Sequence, residues 1–212
     1  MTANRNAFHD GRGRLFVISG PSGAGKTTVV REICRGPGVW FSVSATTREP
    51  RPGERDGVDY FFLDEAEFKR RVEAGLFLEH AVVHGNLYGT PRDEVERRLE
   101  AGEHVVLDID VQGGLQVREK CPGAVMIFLV PPGRRELERR LRGRGTEDPE
   151  ALRRRLEDAD WEIGFSDRYR YLVVNETVEE AVADIRAIMR AESLTMPEGG
   201  IERPWRNTRP KS

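Results

Sequence analysis

The stretch "GPSGAGKTT", Gly20 to Thr28, constrains this chain more than any other. A short apolar run, "RLFVIS", precedes it, and "KTTVVREIC" continues from it with the spacing of a helix. The pattern G-x-x-x-x-G-K-[ST] is met by Gly20, Gly25, Lys26 and Thr27. Set between a strand and a helix, such glycines let successive backbone N–H groups turn inward around phosphate oxygens. Lys26 would add a compact charge near the β and γ phosphates, and the Thr27 hydroxyl suits a Mg2+ ligand. Only four lysines occur in the 212 residues (Lys26, Lys69, Lys120 and Lys211), so a lysine at this place stands out in an arginine-rich chain. The loop predicts a nucleoside triphosphate as donor, and a plain glycine-rich turn is the bland alternative. It leaves the acceptor open.

The rest of the chain reads as alternating strands and helices around this loop. Strands are expected at "RLFVIS", "WFSVSA" (40–45), "VDYFFL" (58–63), "FLEHAVVHG", "HVVLDID" (104–110), "AVMIFLV" (124–130) and "YLVVN" (171–175). Asp64 with Glu67 three residues on forms a capping-box pattern, with Gly75 as a stop. Thr90 before Pro91 reads as the cap of a further helix ending near Gly102. Two arginine-rich helical segments follow from Arg134 to Phe165, broken by "GRGTEDP", and an amphipathic helix follows the last strand. The alternation argues for an α/β doubly wound, mostly parallel sheet. Residues 44–90 look like an inserted lobe, 14–43 and 91–192 the core, and about 134–160 a lid. Residues 1–13 and 193–212 lack periodicity and are expected to be flexible. Trp161 and Phe165, at helical spacing, are core candidates.

Composition removes several function classes. A net charge of −2 gives no global basic field for nucleic acid, and no apolar run approaches a membrane span. The first residues carry no apolar signal segment, and Cys34 and Cys121 stand apart without a metal or disulfide pattern. The expectation is a cytoplasmic protein with free thiols and neither nucleic-acid nor membrane partners.

The acceptor is written downstream of the loop. Arg48 and Arg51 share a Pro-rich loop, and two guanidinium forks suit a phosphate dianion, with the Tyr60 hydroxyl a further donor. A solvated loop with incidental arginines fits this stretch equally well. Glu79 is a carboxylate inside an apolar run, so it is either paired or recognises a ligand. Ionised, it accepts hydrogen bonds only. Guanine presents two adjacent donors, N1–H and the N2 amine, and adenine has no such pair.

Taken together, "ISGPSGAGKTT", "FSVSATTREPRPGE", "YFF", "FLE", "GNLYGTP", "LDIDVQG", "RLRGRGTE", "RRRLEDADWE" and "VVN" stand in the order of a known family. Over roughly residues 14–190 the chain resembles guanylate kinase. The resemblance implies a P-loop NTPase fold with an inserted GMP-binding lobe and a helical lid. It implies ATP on Gly20, Pro21, Ser22, Gly23, Ala24, Gly25, Lys26, Thr27 and Thr28, with Mg2+ near Thr27 and Asn175 bordering the adenine. The GMP phosphate would be held by Arg48, Arg51, Tyr60 and Tyr88, and Gly89 would also belong to the GMP site. Ser44, Glu79, Thr90 and Asp110 would read guanine. Asp108 would lie near the metal, and Arg144 and Arg155 would close over the transferring phosphoryl group, with Arg140 a weaker candidate. Catalytic weight would fall on Lys26, Arg48, Asp108, Arg144 and Arg155. The resemblance leaves dGMP as a second acceptor and the oligomeric state open.

Two positions depart from the family pattern. Ala45 stands where a second serine is common, and Tyr169-Arg170-Tyr171 replaces the usual Tyr-Asp-Tyr. Two other readings compete with the enzyme. A non-catalytic guanylate-kinase-like binding module would usually lack the intact loop or its lysine, and a related small kinase would act on another phosphate.

Overall fold

A computed structural model of the chain describes residues 13–83, 85–143 and 149–195. The central sheet has the order β2-β7-β1-β8-β9 and is parallel throughout. Its strands are β1 (Leu15–Ser19), β2 (Val39–Phe41), β7 (His104–Asp108), β8 (Val125–Val130) and β9 (Tyr171–Val174). A second sheet, β4-β3-β6-β5, is built from β3 (Ala45–Thr46), β4 (Phe61–Phe62), β5 (Phe77–Val83) and β6 (Asn86–Pro91). The chain is an α/β protein of the P-loop NTPase fold.

Both faces of the central sheet are covered, so its strands read as continuous apolar runs rather than as alternations. Phe16, Ile18, Ile127 and Leu129 pack on one side against α1 (Lys26–Ile33) and α7 (Val178–Glu192). Leu15, Val17, Leu107 and Phe128 pack on the other, against α3 (Arg92–Glu100) and α4 (Val111–Lys120). The smaller sheet has its own core, in which Phe68 of α2 (Glu65–Glu73) stacks on Phe77 with ring centroids 4.6 Å apart. Ala45 is fully buried in that core, where a serine hydroxyl would need a partner. The arginine-rich segment forms α5 (Arg134–Arg142) and α6 (Pro149–Ile163), with Leu137, Leu141, Leu152 and Ala159 buried between them.

Several expectations need correction. The run 40–45 is two strands. The chain leaves the central sheet after Phe41 and enters the smaller one at Ala45, because the two sheets claim opposite ends of the run. Only Phe61–Phe62 of the run 58–63 is a strand. Asp64 caps α2 as expected, its carboxylate accepting from the Glu67 amide at 2.7 Å. Thr90 does not cap α3. It lies within β6, Pro91 holds the cap position without a side-chain bond, and the Thr90 hydroxyl donates to Glu79 instead. Val111–Lys120 forms helix α4, which the sequence pattern does not signal because Gly113 and Gly114 interrupt its apolar spacing. Trp161 is 52% exposed rather than core, although its ring does meet Phe165. The flexibility expected at residues 1–12 and 196–212, and the lid role expected of Arg144, concern positions outside the described residues.

The Tyr-Arg-Tyr departure has a structural partner. Glu192, at the end of α7, is almost fully buried. It accepts from the Tyr171 hydroxyl at 2.5 Å and pairs with the Arg170 guanidinium at 3.1 Å. An aspartate at position 170 would face that carboxylate with like charge. Arg170→Asp is expected to destabilise the fold by about 1–2 kcal/mol in urea unfolding, and adding Glu192→Gln should recover part of the loss. Equal stability of Arg170→Asp and wild type would remove the pair from the fold's supports.

Candidate active site

The loop between β1 and α1 is shaped by what surrounds it. Gly25 precedes α1 with φ 92° and provides no side-chain cap, so the first amides of the helix stay open to a ligand. A Cβ there would lie 2.4 Å from Asn175 Nδ2, and one on Gly20 would lie 2.0 Å from the Leu129 carbonyl oxygen. No residue but glycine fits either place. Asn175, buried at the end of β9, donates its side-chain amide to the Ala24 carbonyl at 2.7 Å. Arg140 reaches the Asn175 carbonyl at 2.9 Å and adds a longer contact to that of Ala24 at 3.4 Å. Both residues thus brace the loop from behind.

At the front of the loop, Lys26 Nζ donates to the Gly20 carbonyl at 2.5 Å. Thr27 Oγ1 donates to Asp108 Oδ2 at 2.8 Å, tying the start of α1 to the end of β7. Glu162 of α6 also reaches the loop, its carboxylate accepting from the Ser22 amide at 3.3 Å. Burial raises the pKa of Glu162, and the nearby Lys26 charge acts against that rise. The sequence reading did not single out Glu162. Its signal is only one carboxylate among several in an arginine-rich helical segment, which distance along the chain cannot connect to the loop.

A cleft of about 420 Å³ opens from the loop to the smaller sheet. Ser22, Gly23, Gly25, Lys26 and Thr27 line one wall, and Ser44, Tyr60, Glu79 and Tyr88 the other. Asp108 and Asp110 form its floor, and Arg155, Trp161 and Glu162 of α6 close one side. Gln112 also lines it, another residue that spacing did not flag.

Glu79 is 3% exposed. Among the described residues no cation pairs with it within 4.0 Å; Thr90 Oγ1 donates to its Oε1 at 2.6 Å. Burial pushes its pKa up to about 7, and the Asp110 charge adds to the rise, while the Thr90 hydrogen bond and Lys120 oppose it. Asp110 caps α4, accepting from the Gly113 amide at 2.8 Å. Gly89 pairs with Ala45, where a Cβ would press on the Phe68 and Phe77 rings at 3.0–3.1 Å.

The two acceptor arginines are placed differently. Arg48 donates to both Glu54 oxygens at 2.9 Å and stands 5.3 Å from the centre of the Tyr60 ring. Arg51 is exposed, and its amide donates to Glu54 at 2.8 Å. Burial works against ionisation of Glu54, yet the Arg51 amide and the Arg48 guanidinium hold its pKa below the ordinary value. Neither arginine lines the cleft in this conformation. Pro21, Ala24 and Thr28 belong to the loop without facing the cleft.

Residues 12–192 match the protein family described as guanylate kinase. The chain belongs to the guanylate kinase family. A guanylate kinase of Thermus thermophilus is 53% identical over 181 residues, covering 85% of this chain and 82% of that protein. One of Thermotoga maritima is 51% identical over 195 residues, covering 91% and 94%. Among solved structures, the guanylate kinase of Anaplasma phagocytophilum superposes with a TM-score of 0.74 at 36% identity, covering 88% of this chain and 89% of that one.

Burial of Glu79 makes stability depend on pH in a defined sense. Its folded pKa, about 7, lies above the ordinary 4.5. The protonated form is thus favoured by folding, and that contribution is complete below pH 4.5 and lost as pH rises through 7. Half-buried His104, its pKa lowered by burial and by the Arg14 charge, contributes with the opposite sign, but it is common to wild type and Glu79→Gln. The stability of Glu79→Gln relative to wild type should therefore rise by about 2–3 kcal/mol between pH 5 and pH 8. Parallel melting-temperature profiles for the two proteins would show that Glu79 ionises freely.

Proposed function

We propose that this chain transfers the γ-phosphoryl group of ATP to GMP, giving ADP and GDP. One observation carries the reading. The phosphate-gripping loop with Lys26 and the buried Glu79 carboxylate open onto the same cleft. The intact loop favours the enzyme over a non-catalytic binding module, and a base-reading carboxylate favours a purine acceptor over other phosphates.

Glu79 has one oxygen bound by Thr90, and its second is left for the adjacent N1–H and N2 donors of guanine. Adenine would leave a buried charge unpaired, a mismatch that can cost about 10⁴-fold in favourable cases. Ser44, Thr90 and Asp110 complete the base site. The GMP phosphate falls to Arg48, Arg51, Tyr60, Tyr88 and the Gly89 backbone. Glu54 presents Arg48 with an anion of similar geometry to the phosphate, so the guanidinium can exchange one for the other. dGMP carries the same base and phosphate and is expected to serve as well.

A GMP phosphate oxygen attacks the γ-phosphorus, and the bond to the β–γ bridging oxygen breaks with its electron pair leaving on ADP. The acceptor is already ionised near neutral pH, its second pKa being about 6, so no general base is required. Lys26, Arg155 and Arg144 offset the charge on the transferring group. Thr27 and Asp108 place two oxygen donors together beside the loop, a set that fits Mg2+. When bound with ATP, that ion neutralises phosphate charge. Asn175 both braces the loop and borders the adenine. The lobe 44–90 and the lid 134–160 swing inward over the two nucleotides and exclude water. The free thiols Cys34 and Cys121 agree with a cytoplasmic setting.

A coupled assay with ATP and each of GMP, AMP, CMP and UMP tests the acceptor. Only GMP should turn over efficiently, and comparable rates with AMP would remove the base-reading role of Glu79. Lys26→Ala and Arg144→Ala are each expected to lower kcat by at least about 10²-fold at saturating substrates. An Arg144→Ala enzyme with near wild-type kcat would take the lid arginine out of the mechanism.

A further inference from the structure

Strand β5, which carries Glu79, is an edge strand, and its outer backbone groups face helix α4 rather than another strand. Three α4 side chains meet them in sequence. Lys120 Nζ donates to the Leu78 carbonyl at 3.0 Å. Gln116 donates from Nε2 to the His80 carbonyl at 2.6 Å and accepts from the His80 amide at 3.3 Å. Gln112 makes a longer contact with the Val82 carbonyl at 3.5 Å. The helix positions step by four and the strand positions by two. Four helical residues rise about 6 Å and two strand residues about 6.6 Å, so the two repeats stay in step over the length of the contact. The Gln116 side chain acts as the peptide group of a missing neighbouring strand.

Two details direct this ladder at Glu79. The β5–β6 pairing shifts register between Phe77 and Glu79, leaving Leu78 as the extra residue of a bulge. A bulge re-aims the side chain beside it, and this one is held by Lys120 on the Leu78 carbonyl. On the helix, Gly113 lies against the carboxylate. A Cβ there would sit 2.5 Å from Glu79 Oε2, with Thr90 holding the other oxygen. Gln116, Lys120 and Gly113 do not line the cleft.

We infer that Gly113, Gln116 and Lys120 are positioning residues for base discrimination, setting where the Glu79 carboxylate meets the acceptor's base. The inference rests on Glu79 reading guanine. Gly113 leaves the space in which the carboxylate sits. The two longer side chains fix the strand and the bulge that present it. Both sets act from the core of the protein on a strand of the smaller sheet, so they link the acceptor's base to the element that Asp110 caps.

The test is the ratio of kcat/KM for GMP to that for IMP, which keeps N1–H and lacks the N2 amine. Gly113→Ala, Gln116→Ala and Lys120→Met are each expected to lower this ratio at least tenfold through KM for the nucleoside monophosphate. KM for ATP and kcat at saturating GMP should stay within about twofold of wild type. Lys120→Arg should keep the ratio. Alanine is a stronger helix former than glycine, so a loss in Gly113→Ala cannot come from a weaker α4. Glu79→Gln serves as the reference. If it collapses the ratio while Gly113→Ala and Gln116→Ala keep theirs, the positioning role is overturned and the reading of Glu79 stands. If Glu79→Gln itself keeps the ratio, the reading of Glu79 fails and the inference with it. A uniform fall in all parameters with the ratio intact also overturns the inference, since that is what general loosening of the fold would produce.

Discussion

The fit of the phosphate loop against the ends of the neighbouring strands is the constraint on which the rest depends. Gly20 lies against the Leu129 carbonyl, Gly25 against the Asn175 side chain, and Asn175 holds the Ala24 carbonyl. A loop so confined has its backbone direction settled before any ligand arrives. Its Ala24 carbonyl is held from behind and its Gly20 carbonyl by Lys26, while the first amides of α1 stay open to a ligand. Preorganised donors of this kind need no rearrangement when charge develops, which is where electrostatic stabilisation has most effect. The buried parallel sheet supplies the rigidity that makes the confinement hold.

The acceptor side is built on the opposite principle. Its sheet is small, its core rests on a few residues around Phe68 and Phe77, and Arg48, the arginine proposed to take the acceptor's phosphate, is engaged by Glu54. Glu79 is the exception within that lobe, because it is buried and held by both Thr90 and the packing of α4. A carboxylate with its pKa pushed up to about 7 is poorly solvated, and adjacent hydrogen-bond donors from a base would relieve it. The proposed selectivity and the pH dependence of stability would thus share one cause at this residue, its burial.

Local chemistry made much of this legible. Glycine spacing, the capping carboxylate Asp64 and uninterrupted apolar runs each act within a few residues, so a linear reading reaches them. The readings that failed all involved a distant partner. Thr90 looked like a helix cap until β5 brought Glu79 beside it. Helix α4 was hidden by Gly113 and Gly114, which are there because Glu79 in one case and Tyr169 in the other leave no room for a Cβ. Trp161 had the spacing of a core residue, but its helix turns that face to the cleft.

The sequence by itself determined the donor loop, the alternation of strands and helices, and the family, because these depend on residue type and spacing along the chain. Only the tertiary structure decided that Glu79 and Lys26 open onto one cleft, that Glu162 reaches the loop and that Arg48 rests on Glu54. Those relations join residues far apart in the chain, and they exist only where packing sets two surfaces against each other.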